Sequence, residues 1–128
     1  MTPYELAGGE AGVRAILERL YDRAFEDPII GFLFVGKDKA RIVEEQVAFT
    51  AGLLDGPRCY KGRPLPEAHA HLPLLPGHFD RRHRLLEEVL DERRVHESVR
   101  RRWLDVDEGL RGSVLAACET ARQQSRIA

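Results

Sequence analysis

The chain has 128 residues, 43% hydrophobic and 32% charged, with a formal net charge of -1. These values suit one soluble domain with a single core and room for one sizeable ligand. They give no sign of nucleic acid or an acidic surface as partner, and no apolar run is long enough to span a membrane.

The opening, MTPYELAGGEAG, lacks the basic cluster and apolar run of a secretory signal. After a Tyr4-Glu5-Leu6 turn, Gly8-Gly9 marks a sharp change of direction. Val13, Ile16, Leu17, Leu20, Tyr21, Ala24 and Phe25 then fall on one helical stripe, which Asp27-Pro28 stops. Residues 29–35, IIGFLFV, are too short for an ordinary helix and too apolar for a loop. They read as a core plug of one or two turns, with Phe32, Leu33 and Phe34 packed inward.

A second helix is expected from about Asp38 to Leu54, with a stripe of Ile42, Val43, Gln46, Val47, Thr50 and Leu53 flanked by Phe49. Gln46 interrupts it; a buried amide without partners costs roughly 1–3 kcal/mol. Asp55-Gly56-Pro57 ends the helix. A broken stretch follows, GPRCYKGRPLPEAHAHLPLLPGHFD, with five of the seven prolines and three of the five histidines. It should be loop with a turn or two of helix.

A third helix carries Phe79, Leu85, Leu86, Val89 and Leu90, with Arg82 on the same stripe, where its stem would be buried and its head would snorkel to an edge. The last helix is expected from Val95, bearing Val99, Trp103, Val106, Leu110, Val114 and Cys118, with a frayed tail over 119–128. The basic run Arg100–Arg102 and the acidic residues Asp105, Asp107 and Glu108 read as a solvated face. No strand pattern or repeat appears, so the class is all-α in one domain. Cys59 and Cys118 form no CxxC or zinc spacing, which fits a cytoplasmic protein with reduced thiols.

The polar residues on buried stripes carry the chemistry. Tyr21 either packs its ring with its tip bonded or offers its hydroxyl to a ligand. Gln46 either bridges helices or does the same. His69 and His71 flank Ala70, with His78 and His83 beyond, and nothing matches a zinc signature such as HExxH. One histidine in an apolar surround suits haem iron, which takes a neutral imidazole nitrogen as axial ligand.

Beyond these residues, the ordered motifs resemble the truncated haemoglobins, most like their first group, from Tyr4 to about Val114. Tyr4-x-x-x-Gly8-Gly9 resembles the family's opening, and Leu20-Tyr21 its Phe-Tyr pair. Asp27-Pro28 with Leu33-Phe34 resembles the segment whose phenylalanine stacks on the haem. Gln46-x-x-Phe49 resembles the distal helix, with Ile42 where other globins often carry a distal histidine. The loop from Asp55 through Tyr60-x-Gly62-Arg63-Pro64-Leu65, then Ala68-His69 and His78-Phe79, completes the order.

The resemblance implies a two-over-two helical sandwich around haem b, with His69 rather than His71 or His78 on the iron. It implies Tyr21 and Gln46 as donors to a bound diatomic ligand, oxygen, nitric oxide or carbon monoxide. Phe34, Ile42, Phe49, Tyr60, Leu72 and Phe79 would wall the haem, and Lys61 and Arg63 would meet its propionates. Nitric oxide dioxygenase chemistry would need a separate reductase. Three residues depart from the family pattern: Asp55 for a loop glycine, Leu33 for an aromatic, and Arg82 for an apolar residue near the haem. Arg82 would reach a propionate or swing outward. The alternatives are a haem-free helical interaction module, which Arg82 favours, and a metal site of His69, His71 and His78.

Overall fold

The computed structural model describes residues 1–127, and they hold helices and turns with no strand. Helix α1 (Pro3–Leu6) is closed by a capping box: Glu5 N–H donates to the Thr2 hydroxyl and the Glu5 carboxylate takes the Thr2 N–H, both at 3.1 Å. Gly8 and Gly9 have φ of 101° and 65°, so the expected change of direction rests on left-handed backbone that glycine adopts without strain. Helix α2 (Gly9–Glu26) buries the predicted stripe from Val13 to Ala24, Tyr21 included, while Phe25 is half-buried.

Asp27 does more than end α2. Its buried carboxylate accepts the N–H groups of Ile29 and Ile30 at 3.0 and 3.1 Å and pairs with Arg81 at 2.7 Å. A single 3-10 turn follows (Gly31–Phe34). Leu33 is buried in it, but Phe32 is 53% exposed, not packed inward as expected. Consecutive residues of such a turn point about 120° apart, so three in a row cannot share one face. Phe32 instead meets the edge of His78, centroids 5.3 Å apart.

Asp38 caps helix α3 (Lys39–Leu53), accepting from Arg41 N–H at 3.2 Å. Asp55 then takes φ of 63°, the left-handed conformation its place in the loop requires. Aspartate tolerates this better than most side chains, and here its carboxylate also reaches Arg102 at 3.1 Å. In the broken stretch one short helix forms, α4 (Leu65–His69).

Helix α5 (Pro76–Glu92) buries Phe79, Leu85, Leu86, Val89 and Leu90, as the stripe predicts. The expected single last helix is two, α6 (Glu97–Gly109) and α7 (Arg111–Ile127), broken at Leu110 between the poor helix formers Gly109 and Gly112. The frayed tail expected from residue 119 is helical as far as Ile127. Glu119 accepts from Arg122 and Gln123, and Arg122 also donates to the Leu74 carbonyl at 2.9 Å. Ala128 lies outside the described residues.

Helix α2 packs on both α3 and α5, α5 on α6, α4 on α7, and α1 joins α2 to α6. The α2–α3 layer therefore lies over α5–α6, giving the two-over-two arrangement. Ile16, Leu17 and Leu20 of α2 and Leu85, Leu86 and Leu90 of α5 are buried almost completely, and these two helices pack on each other. Among the described residues no helix is long and apolar enough to cross a membrane.

Candidate functional site

Between the layers lies a cavity of about 240 Å³. Helix α2 supplies Tyr21; α3 supplies Ile42, Gln46, Phe49 and Thr50; α5 supplies Phe79 and Arg82. The broken stretch supplies Tyr60, Arg63, Leu65, His69 and Leu72, and Phe34 closes one side. Of the residues expected to hold haem or its ligand, all but Lys61 therefore meet at one cavity; Lys61 is exposed and does not line it.

His69 is half-buried at the end of α4, and its Nδ1 lies 2.9 Å from the Leu65 carbonyl oxygen. A carbonyl only accepts, so Nδ1 carries the proton and Nε2 of the neutral ring keeps its lone pair. Burial pushes the imidazole below its ordinary value, the Leu65 carbonyl acts the other way, and the Arg82 charge adds to the lowering. Burial and the Arg82 charge thus favour the neutral form that binds metals. From the far side the Cys118 thiol donates to the His69 carbonyl at 3.1 Å, tying α4 to α7.

Tyr21 and Gln46 line the same cavity. Gln46 is half-buried, and its side-chain amide lines the cavity with no hydrogen bond to another described residue. Tyr21 is 3% exposed, and its hydroxyl is gripped by Arg82, whose Nε and Nη2 donate to it at 3.3 and 3.1 Å. Arg82 thus turns inward, where the sequence suggested an edge, a propionate or an outward swing. The reason is Asp107, which accepts from Arg82 Nη1 at 2.8 Å and from His83 Nδ1 at 2.8 Å.

Asp107 is buried, not part of a solvated acidic face. It lies four residues after Trp103 on the buried face of α6, so an opposite charge on the facing stripe was the signal that could have found it. Burial pushes its carboxyl up, but Arg82 and His83 outweigh this and hold it below the usual range. The same hydrogen bond raises His83, against the effect of burial.

Around the rim, the Tyr60 hydroxyl donates to the Arg63 carbonyl at 2.7 Å and folds its ring over Gly62. A Cβ there would sit 2.3 Å from that hydroxyl, so this turn needs glycine. Phe49 meets Tyr60 edge-on at 5.2 Å, and Phe34 stacks on Phe25 at 4.8 Å while touching the edge of Tyr21. Lys37 also lines the cavity and was missed, because a lysine in a polar loop carries no distinguishing pattern. His78 accepts the Leu75 N–H at 3.0 Å, a capping role. Among the described residues no three His, Cys, Asp or Glu side chains are grouped to hold a metal ion, so the three-histidine site has no geometry behind it.

Comparison with known proteins agrees with this architecture. Residues 2–116 match the family model described as Bacterial-like globin. A group 1 truncated haemoglobin of a Nostoc species is 31% identical over 114 residues, covering 89% of this chain and 97% of that protein. Crystal structures superpose closely: that of a Tetrahymena pyriformis truncated haemoglobin has a TM-score of 0.83 at 31% identity, covering 90% of this chain and 98% of that one. The haemoglobin of Chloroflexus aurantiacus has a TM-score of 0.80 at 30% identity, with the same coverages. With its helical order, its two layers and nearly its whole length shared with these proteins, the chain belongs to the truncated haemoglobin family.

Proposed function

We propose that this chain binds haem b through His69 and takes up and releases oxygen, nitric oxide and carbon monoxide in the cavity. The observation that carries the reading is the 2.9 Å contact from His69 Nδ1 to the Leu65 carbonyl, which leaves Nε2 as a fixed, unprotonated donor at an apolar cavity. When bound, haem would supply an iron that takes a diatomic ligand in this cavity.

The donor set fits that group. Phe34, Ile42, Phe49, Leu65, Leu72 and Phe79 wall the cavity against water, and Arg63 and Lys37 supply cations for the propionates in place of the expected Lys61. Tyr21 and Gln46 offer donors to a polar ligand; each hydrogen bond of this kind is worth about 1 kcal/mol, so two slow ligand escape by roughly one to two orders of magnitude. Nitric oxide dioxygenation, in which nitric oxide, oxygen and one electron give nitrate, suits such a site given a separate reductase. Two unpaired cysteines suit a reducing compartment such as the cytoplasm.

Hemin titration of the purified chain tests the reading. The wild type should develop a sharp Soret band at one equivalent, and His69→Ala should lose stable binding or shift the band. A variant with the wild-type spectrum would remove His69 from the iron.

A further inference from the structure

The Tyr21 hydroxyl is occupied in a way a simple ligand-facing tyrosine is not. A phenol oxygen has two lone pairs and one proton. Arg82 fills both acceptor positions with Nε and Nη2, and the proton has no acceptor among the described residues. Tyr21 is thereby reduced to a pure donor, and its O–H is polarised by the cation behind it.

Asp107 does not cancel this. It sits on the other end of the guanidinium, at Nη1, so the ion pair keeps its positive end toward Tyr21. Of the other charged or titratable groups lining the cavity, Lys37, Arg63, His69, His71 and His78 are basic, and the Glu45 carboxyl and the Tyr60 phenol are acids. A carbon monoxide oxygen accepts hydrogen bonds poorly and gains little from such a donor. A small anion gains both the hydrogen bond and the field.

We propose that Arg82 is a positioning residue which, by fixing Tyr21 as a polarised donor, biases the cavity toward small anions with strong acceptor atoms over a weakly accepting neutral ligand such as carbon monoxide. This rests on the haem reading above, with the anion entering as a ligand of ferric haem. Azide is the probe for the anion and carbon monoxide for the neutral ligand.

Removing Arg82 alone would strand a buried carboxylate, so the informative variant replaces the whole ion pair, Arg82→Met with Asp107→Leu. Swaps of this kind are usually tolerated. In hemin-loaded protein the double variant should weaken azide binding to the ferric form about tenfold, roughly one lost charge-assisted hydrogen bond, and change carbon monoxide binding to the ferrous form less than about threefold. The triple variant that adds Tyr21→Phe should bind azide no more weakly than Tyr21→Phe alone, because Arg82 acts through that hydroxyl. Equal weakening of both ligands, or additive losses, would overturn the proposal.

In the haem-free protein the ¹³Cζ resonance of Tyr21 reads the fork directly. It should move in the double variant while those of Tyr4 and Tyr60 stay in place, and an unmoved Tyr21 signal would overturn the positioning role. If the wild type takes up no hemin, the function proposed above fails and the anion preference fails with it. The Tyr21 signal would still decide whether Arg82 sets that hydroxyl.

Discussion

The two walls of the cavity are built on opposite principles. The His69 wall is neutral: a five-residue helix, one backbone carbonyl fixing the tautomer, and one thiol holding the backbone from behind. The Tyr21 wall is charged: a hydroxyl, a guanidinium, a carboxylate and an imidazole linked from α2 through α5 to α6. On the proposed reading, the neutral wall leaves an imidazole lone pair for a metal, and the charged wall leaves Tyr21 only its proton to offer a ligand. The charged side also depends on every member being present, because each buried charge is tolerated only through its partner.

The largest break in this contrast is expected at Asp107. Asp107→Ala leaves the Arg82 charge half-buried without its counter-ion and should cost about 3–5 kcal/mol in urea unfolding of the haem-free protein. That is a large part of a small domain's total stability. A loss below about 1 kcal/mol would mean that water solvates the guanidinium. On the neutral wall the corresponding change is smaller. Cys118→Ala removes one weak S–H donor and a small buried volume, for a loss of about 1–2 kcal/mol. A loss as large as that at Asp107 would erase the distinction between the walls.

The smallest effect sharpens the comparison through pH. His83 is raised in the folded protein, first by Asp107, with Glu108 and Glu87 also facing it and burial opposing. Its stabilisation is therefore present in full below the ordinary histidine value of about 6.5 and is lost as pH rises through the raised value. The stability gap between the wild type and His83→Gln should be widest near about pH 5.5 and close toward about pH 9. A gap that does not vary with pH would show that His83 does not titrate against Asp107.

Much of this was legible in the residue order. The stripes on α2, α3 and α5 needed only 3.6-residue periodicity, and Tyr21, Gln46 and His69 stood out as polar groups on or between those stripes. What stayed hidden depended on pairing across distance. Arg82 and Asp107 lie 25 residues apart on different helices, and each alone reads as an edge or surface charge. Phe32 was misjudged because hydrophobicity says nothing about direction within a single tight turn. The break at Leu110 was missed because Val99, Trp103, Leu110 and Val114 keep a helical period across it.

The brevity of α4 has a consequence for assembly. Five residues are too few to hold a helix in water unaided, since nucleation alone outweighs the single turn gained. The piece that presents the imidazole must borrow its order from α7 and from whatever fills the cavity. Cofactor capture and local folding then become one event, and the prosthetic group acts as the last keystone, so amide exchange across residues 64–75 should slow sharply once hemin is seated.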